Sequence, residues 1–514
     1  MKVVVDGADR LRHRFFLLEL EAQQCGKFES IEELGAKVGA ALNALQETGL
    51  FEKVEGSLVV PPSYDEHSKE LGGDLRNVEV HLKVKEKGIP FIEMGTYVQS
   101  KLGTAKAAEE SFKLDAALRS PLGFGEMAKI SLSTGRRGTR DVSFNLSLPH
   151  VGKGLNILNL KGALMEEDKT YYQSFRLEST SLLAELVSRS GKHTFEASWT
   201  GRDEVPRALE CKSTTPTLLE RTAKDASGYI MSAVSASTKL AFKYTGVLLD
   251  TRDSSADPTQ GSYASTTTEL CLPPGTTKFV KSELTLQKHA TLGPPVLEQV
   301  GLVGSLVGNL GVIMPLGILG FLRGTNKTIH RDTQGPVVAE PGLHVPLSDR
   351  FTVGGPMNLR GFDMHGIGPR SFGGRERYLT PGGYQVNPDQ AIGNHPVGDA
   401  IGGVGMATAS AILSVPVPIP SETRKFAGIR AFSFASLGVI ASPASWAKFF
   451  NSSGSGSASS VAESWCVPRV AVGGGFSVAF APTARLEMTY SVPMLKSAHD
   501  ASRGFQIGLG ITIN

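Results

Sequence analysis

The sequence predicts a mainly β protein: an up-and-down antiparallel β-barrel that crosses a membrane, preceded by a small α+β domain. Three observations predict it. From about residue 89 onward, short alternating apolar–polar runs are separated by turn clusters, with no long amphipathic helix between them. The last run alternates Phe505, Ile507, Leu509, Ile511 and Ile513 with Gln506, Gly508, Gly510 and Thr512. One face is wholly apolar and the other polar or bare, as a strand between lipid and a lumen requires. The first 88 residues carry helical periodicity instead.

In that first part, Val3 to Val5 form a short strand and Arg12 to Gln24 a first helix. Ser30 is placed to cap a second helix, with Glu33 completing a capping box. Ile31, Leu34, Val38, Leu42 and Leu45 follow helical spacing, and Gly49 ends the helix. Phe51 and Val54 lead into Leu58–Val60. Val78, Val80, Leu82 and Val84 then alternate with Glu79, His81, Lys83 and Lys85, a half-buried strand.

Beyond residue 89, Val142, Phe144, Leu146 and Leu148 alternate with Ser143, Asn145 and Ser147, and Leu240, Phe242 and Tyr244 with Lys239, Ala241 and Lys243. Val472, Phe476, Val478 and Phe480 share a face, as do Leu486, Met488 and Tyr490. The uncharged stretch from Val300 to Leu322 has the length of a membrane helix. Gly301, Gly304, Gly308, Gly311, Gly317 and Pro315 interrupt it, so it reads as a strand and its turn, with Leu302, Leu306, Leu310 and Val312 beside Gly304 and Gly308 on one face. Two long loops, 323–350 and 366–402, and a flexible Asn451–Ser460 linker complete the chain. A propeller is disfavoured because no blade-length repeat is visible.

The totals narrow the function. There are 58 glycines in 514 residues, above the usual share of about 7%. A net charge of +3 gives no sign of a nucleic-acid partner. Cys25, Cys211, Cys271 and Cys466 form no CxxC pair and read as free thiols. The chain opens without a secretory signal, which favours a eukaryotic organelle over a bacterial outer membrane. No Walker loop, HExxH or nucleophile elbow occurs, so no enzyme, metal site or cofactor is expected. Asp363 and His365 read as loop hydrogen-bonding groups rather than an acid–base pair.

The most specific stretch is Phe351–Ser371, FTVGGPMNLRGFDMHGIGPRS. Its core, Leu359, Arg360, Gly361 and Phe362, between two Gly/Pro turns, resembles the signature loop of the outer-membrane β-barrel insertases, a family that includes the core subunit of the mitochondrial sorting and assembly machinery (SAM complex). Gln506, Gly508, Ile511 and Ile513 are similar to the sorting signal on the last strand of mitochondrial barrels. Pro468–Pro493 resembles the family's penultimate hairpin, with Pro482 to Arg485 as its turn. Thr48–Val54 and Val84–Gly88 are similar to a polypeptide-transport-associated (POTRA) domain.

The resemblance implies a POTRA domain over residues 1–88 and a 16-stranded barrel over 89–514, with the Arg360 loop inside the lumen. It implies an acidic partner for Arg360. The bacterial Phe-x-Asp-x-Gly pattern aligns with Phe434–Gly438, where Ser436 replaces the acid, so Ser436 or Glu487 is the expected partner; an unpaired buried Arg is very costly. It also implies that the protein folds and inserts β-barrel precursor proteins into the mitochondrial outer membrane, among membrane lipids and metaxin-like accessory SAM subunits, with the POTRA domain in the intermembrane space. The gate would lie between a first strand at Ile92, Glu93, Met94, Gly95, Thr96, Tyr97 and Val98 and a last strand from Phe505 to Ile513. Gly508 and Gly510 lack side chains to pack and weaken that seam. The alternatives are a translocating or inserting homologue in a chloroplast or bacterial outer membrane and, in another class, a passive solute porin.

Overall fold

A computed structural model describes residues 2–8, 10–22, 25, 31–59, 79–88, 90–100, 108–135, 139–151, 156–170, 172–206, 226–255, 257–292, 301–316, 345–371, 377–380, 383–386, 398–418, 428–441, 467–481 and 484–511. The amino-terminal part runs β1 (Lys2–Asp6), α1 (His13–Ala22), α2 (Ile31–Glu47), β2 (Phe51–Val59) and β3 (Glu79–Glu86). β3 lies between β1, which is parallel to it, and antiparallel β2. The apolar residues of both helices meet one face of this sheet: Phe16, Leu20, Leu34, Leu45, Phe51 and Leu82 are among the fully buried side chains. Glu32 and Glu33 in the first turn of α2 complement the helix dipole. Gly49, at φ 72°, makes the left-handed step that stops it. Ser30 lies outside the described residues.

A 16-stranded antiparallel sheet follows. Its strands are β4 (Pro90–Ser100), β5 (Ala108–Arg119), β6 (Met127–Gly135), β7 (Arg140–Val151), β8 (Asn156–Asp168), β9 (Phe175–Val187), β10 (His193–Pro206), β11 (Ser237–Asp250), β12 (Gly261–Leu272), β13 (Phe279–Thr291) and β14 (Val303–Pro315). The short pairs β15 (Arg370–Ser371) with β18 (Asp399–Ala400), and β16 (Arg377–Thr380) with β17 (Gly383–Val386), intervene. The sheet resumes with β19 (Gly405–Pro416), β20 (Gly428–Ala441), β21 (Arg469–Ala481), β22 (Ala484–Leu495) and β23 (Phe505–Ile511). A short helix, α3 (Gly228–Ala233), precedes β11.

Most strands have 12 to 14 residues, ample for the roughly 9–11 that a tilted transmembrane strand needs. Outward positions carry exposed apolar side chains all round, among them Phe144, Leu182, Trp199, Phe242, Leu306 and Phe476, the lipid-facing belt of a barrel. No helix among the described residues is long and apolar enough to cross a membrane. The ambiguous stretch at 300–322 is strand β14 over its described part, with Leu306 and Leu310 pointing outward. One boundary differs from expectation: Ala484 and Arg485 already belong to β22, where Ala484 pairs with Ala481, so the turn is shorter than Pro482–Arg485. A two-residue connection is what a tight antiparallel hairpin favours.

The amino-terminal domain is pinned to the turns at one end of the barrel. The Arg12 N–H donates to the Gly123 carbonyl (2.9 Å), and the Phe15 ring meets His150 edge-on at 4.9 Å. Glu19, buried on α1, is 2.5 Å from His150 Nε2 and accepts from Arg189 (3.0 Å). Burial alone would raise the Glu19 carboxyl. The hydrogen bonds and charges of His150 and Arg189 outweigh it and hold the pKa below the usual value.

Candidate functional site: the lumen loop and the last hairpin

The chain between β14 and β19 turns back into the barrel. Its root is held by charge. Asp349, in a 3₁₀ turn (Leu347–Asp349), sits 2.8 Å from Arg202 of β10 and 2.9 Å from Lys239 of β11. The Lys281 ammonium reaches its carbonyl at 3.4 Å, and the Ser348 N–H donates to Glu204 (3.0 Å). Burial works to raise the Asp349 carboxyl, but the cations Lys239 and Arg202 prevail and pull it down to about 2. Sequence reasoning missed this anchor.

The loop then packs its apolar residues against the wall made by β19–β21. Val353, Leu359, Phe362, Ile367, Ile440 and Ala471 form one buried cluster. Gly361 needs its lack of a side chain: φ is 90°, and a Cβ there would lie 2.7 Å from Ala471 Cβ. Arg360 reaches β22, where Nη2 and Nε both donate to Glu487 Oε2 at 2.7 and 3.2 Å. The guanidinium also lies 5.6 and 5.3 Å from the Phe432 and Phe434 ring centres, close enough for cation–π attraction. Glu487 spends its other oxygen on Arg485 (2.8 Å). Ser436 sits elsewhere and shares a hydrogen bond with Ser410 (2.9 Å). Of the two partners expected for Arg360, the structure places Glu487 on it. A carboxylate compensates a buried guanidinium where a hydroxyl cannot.

The loop also grips the approach to β23. Asp363 N–H donates to Ala501 carbonyl, Ala501 N–H to Gly366, and Arg503 N–H to Gly361. Arg503 Nε is 2.6 Å from Asp363, so Asp363 serves in an ion pair. His365, at φ 54°, stacks on Tyr172 with ring centres 3.7 Å apart. Gln506 is wholly buried against the loop backbone, while Phe505 and Ile507 face outward. Gly508 lies under Pro356 and Met357. For Leu509, Gly510 and Ile511 only the backbone is described, and Thr512 and Ile513 lie outside the described residues. At the other end, Ile92 is exposed and Glu93 to Val98 are described by backbone alone, paired with β5 from Asp115 to Glu110. The ladder has β4 and β23 as its two ends, and no pairing joins them among the described residues. No group of three or more metal-ligating side chains occurs among the described residues, and Cys25 and Cys271 are free.

Fold and site together define a transmembrane β-barrel with an Arg-Gly-Phe loop clasped to its last hairpin, behind a POTRA-like domain. The Omp85 superfamily domain matches residues 121–513, and the chain belongs to that superfamily. It is 26% identical to a SAM50-like protein of Schizosaccharomyces pombe over 91% of this chain and 82% of that one. It is also 26% identical to the sorting and assembly machinery component 50 homologue of Mus musculus, over 54% of this chain and 51% of that protein. The crystal structure of BamA from Haemophilus ducreyi lacking POTRA domains 1–3 superposes with a TM-score of 0.65 at 17% identity, over 99% of this chain and 84% of that one. That likeness extends the shared fold to the whole barrel.

Proposed function

We propose that this chain folds and inserts β-barrel precursor proteins into the mitochondrial outer membrane, through a lateral gate between β4 and β23. The observation that carries the reading is the loop–hairpin clasp: one end of an otherwise continuous ladder is held from inside the lumen by Arg360–Glu487 and Gln506. A strand edge in lipid cannot keep its N–H and C=O groups bare. A weakly joined pair of edges accepts an incoming strand by β-augmentation. Strand pairing and lipid burial supply the free energy, so the mechanism calls for no nucleotide or cofactor.

The relatives' names, a SAM50-like protein and a sorting and assembly machinery component 50 homologue, support a place in such a machinery; the mitochondrial setting, the precursor clients and metaxin-like accessory subunits are part of the same proposal. In this reading residues 1–88 are one POTRA domain facing the intermembrane space and 89–514 the insertase barrel. A lumen occupied by a packed loop favours this over a passive solute porin.

Cysteines walked along Ile92–Val98 and Phe505–Ile511 test it. They are expected to crosslink to each other at rest and to the last strand of an added precursor, the first product falling as the second grows. A disulfide that locks the seam is expected to stop insertion. Normal insertion by locked barrels would sink the gate.

A further inference from the structure

The outward face of β13 reads Val280, Ser282, Leu284, Leu286, Lys288 and Ala290. Pairing with β14 fixes that face: Leu284, Leu286 and Lys288 stand beside Leu310, Gly308 and Leu306, and Leu286, Leu306 and Leu310 are exposed members of the lipid-facing belt. Lys288 is exposed as well. From β12 to β22 it is the one charged residue among the outward positions of the described ladder; the others are apolar, glycine or hydroxyl-bearing. No hydrogen bond or ion pair holds its ammonium among the described residues.

A lysine facing lipid is costly at the bilayer centre and tolerated where its stem lets the ammonium reach the headgroups. Lys288 meets that condition. Ala290 alone follows it on the outward face before the strand ends at Thr291. In the antiparallel ladder β5, β7, β9 and β13 run the same way. This end of β13 is therefore the one whose turns hold the amino-terminal domain through Gly123, His150 and Arg189. The ammonium lies at that boundary of the bilayer.

The surface beside it is grooved. Two adjoining hollows of 740 and 610 Å³ share Lys288, Leu306, Ala411 and Ala435. Leu286, Leu306, Leu413 and Leu437 stand up as exposed ridges. Between them Gly308, Ala411 and Ala435 leave a floor with nothing larger than a methyl group.

We propose that this trough binds an anionic phospholipid, with the headgroup phosphate on the Lys288 ammonium and an acyl chain lying over Gly308, Ala411 and Ala435. Charge selects the headgroup: a zwitterionic lipid brings its own cation beside the phosphate, whereas an anionic lipid leaves a net negative charge for the lysine. The ridges select the chain, since a chain laid between them fills space that side chains leave open. The site stands apart from the proposed gate, as β13 is six strands from β23 in the ladder, and it requires the barrel in a bilayer but not the insertion mechanism.

The test uses the full chain in phosphatidylcholine nanodiscs. A trace of photoreactive phosphatidylglycerol or photoreactive phosphatidylcholine is added, each with a diazirine in the acyl chain. Labelled peptides are expected to come from β13, β14, β19 and β20. Phosphatidylglycerol is expected to lead by about fivefold, the attraction of one basic side chain for an anionic headgroup. Lys288→Gln is expected to remove that excess and Lys288→Arg to keep it. Lys161→Gln, on a lumen-facing lysine, is expected to change nothing. Electrophoretic mobility without heating confirms that each variant is folded. Equal labelling by the two lipids on the unaltered chain would overturn the site and leave Lys288 a residue that merely reaches for water. An excess that survives Lys288→Gln would also overturn it, as would labelling confined to peptides outside the trough.

Discussion

The two walls of the barrel are built on different physics. On β5, β6, β8 and β9 several lumen-facing side chains are charged and pair with one another: Lys161 with Glu185 (2.6 Å) and Lys129 with Asp115 (2.8 Å) across strands, and Lys113 with Asp115 (3.0 Å) along β5. From β19 to β23 many lumen-facing residues are small and buried: Thr408, Ser410, Ser436, Ala471, Ser477, Thr489 and Ser491, with Phe432, Phe434 and Glu487 among them. The loop core around Arg360 lies on the second wall and takes the place that solvent has at much of the first, while its root, Val345 to Phe351, packs against β9–β13. The difference teaches where specificity resides. A solvated wall tolerates change because water compensates each lost partner. A dry wall carries a few pairings whose partners have no substitute.

The sharpest way to break this comparison is at the buried pair. Glu487→Ala leaves the Arg360 and Arg485 guanidinium groups without their carboxylate. We expect a loss of about 3–5 kcal/mol, the cost of an uncompensated buried charge, read as a lower urea midpoint of the refolded barrel. Arg360→Ala is expected to fall in the same range and to depress precursor insertion. Arg360→Lys is expected to recover part of it, because an ammonium cannot reproduce the two donors now aimed at one oxygen. A change below about 1 kcal/mol in Glu487→Ala would place the pair in the solvated class.

The loop root offers an intermediate case, since Asp349 is buried but lies against the charged wall. Asp349→Asn keeps the shape and removes the charge that serves Arg202 and Lys239. Lys239 retains Glu269 at 2.5 Å, so the expected loss is about 2 kcal/mol, that of a charged hydrogen bond. The pH dependence has a definite sign. The folded carboxyl is held near 2, below an unfolded value of about 3.9. Its contribution is therefore complete above pH of about 4 and disappears as the pH falls toward about 2. Unfolding midpoints measured across that window are expected to converge for the native chain and Asp349→Asn. Parallel curves would mean that Asp349 acts through packing and not through charge.

Much of this was legible in the sequence because it is local. Alternation over five residues fixes which face of β7, β11 or β22 meets lipid, and the 3.6-residue spacing of Leu34, Val38 and Leu45 fixes α2. The Leu359–Phe362 core stood out by its glycines and turns, and Glu487 was within reach as an acid on an otherwise small-residue face. What the sequence withheld is long-range pairing between ordinary-looking groups. Asp349 and Arg202 are far apart in the chain, and each reads as one more lumen-facing charge. Glu19 and His150 read alike as a helix surface and a strand end, though together with Arg189 they fix the amino-terminal domain to the barrel turns. Gln506 stood out as one polar residue in a pattern, while its two partners are backbone atoms of a loop and leave no trace in side-chain identity.

The smallest effect is the one that gives the comparison its other half. Lys161→Ala removes the Nζ–Glu185 contact on the solvated wall, where the lysine side chain is 39% and the glutamate 19% exposed. Coulomb attraction there is weakened by water and opposed by the entropy of holding a long side chain in place, so exposed pairs of this kind are worth about 0.2–1 kcal/mol. Glu185 also keeps a hydrogen bond from Asn159 (3.1 Å), so the carboxylate is not stranded when the lysine goes. We expect a loss under about 1 kcal/mol that shrinks further in high salt, with precursor insertion unchanged. The salt response is the discriminating readout, because a half-exposed pair is screened and a buried one is not. If Lys161→Ala cost as much as Glu487→Ala, or if its cost were indifferent to salt, the two walls would not differ in kind, and the lumen loop would lose its claim to be what makes the last hairpin special.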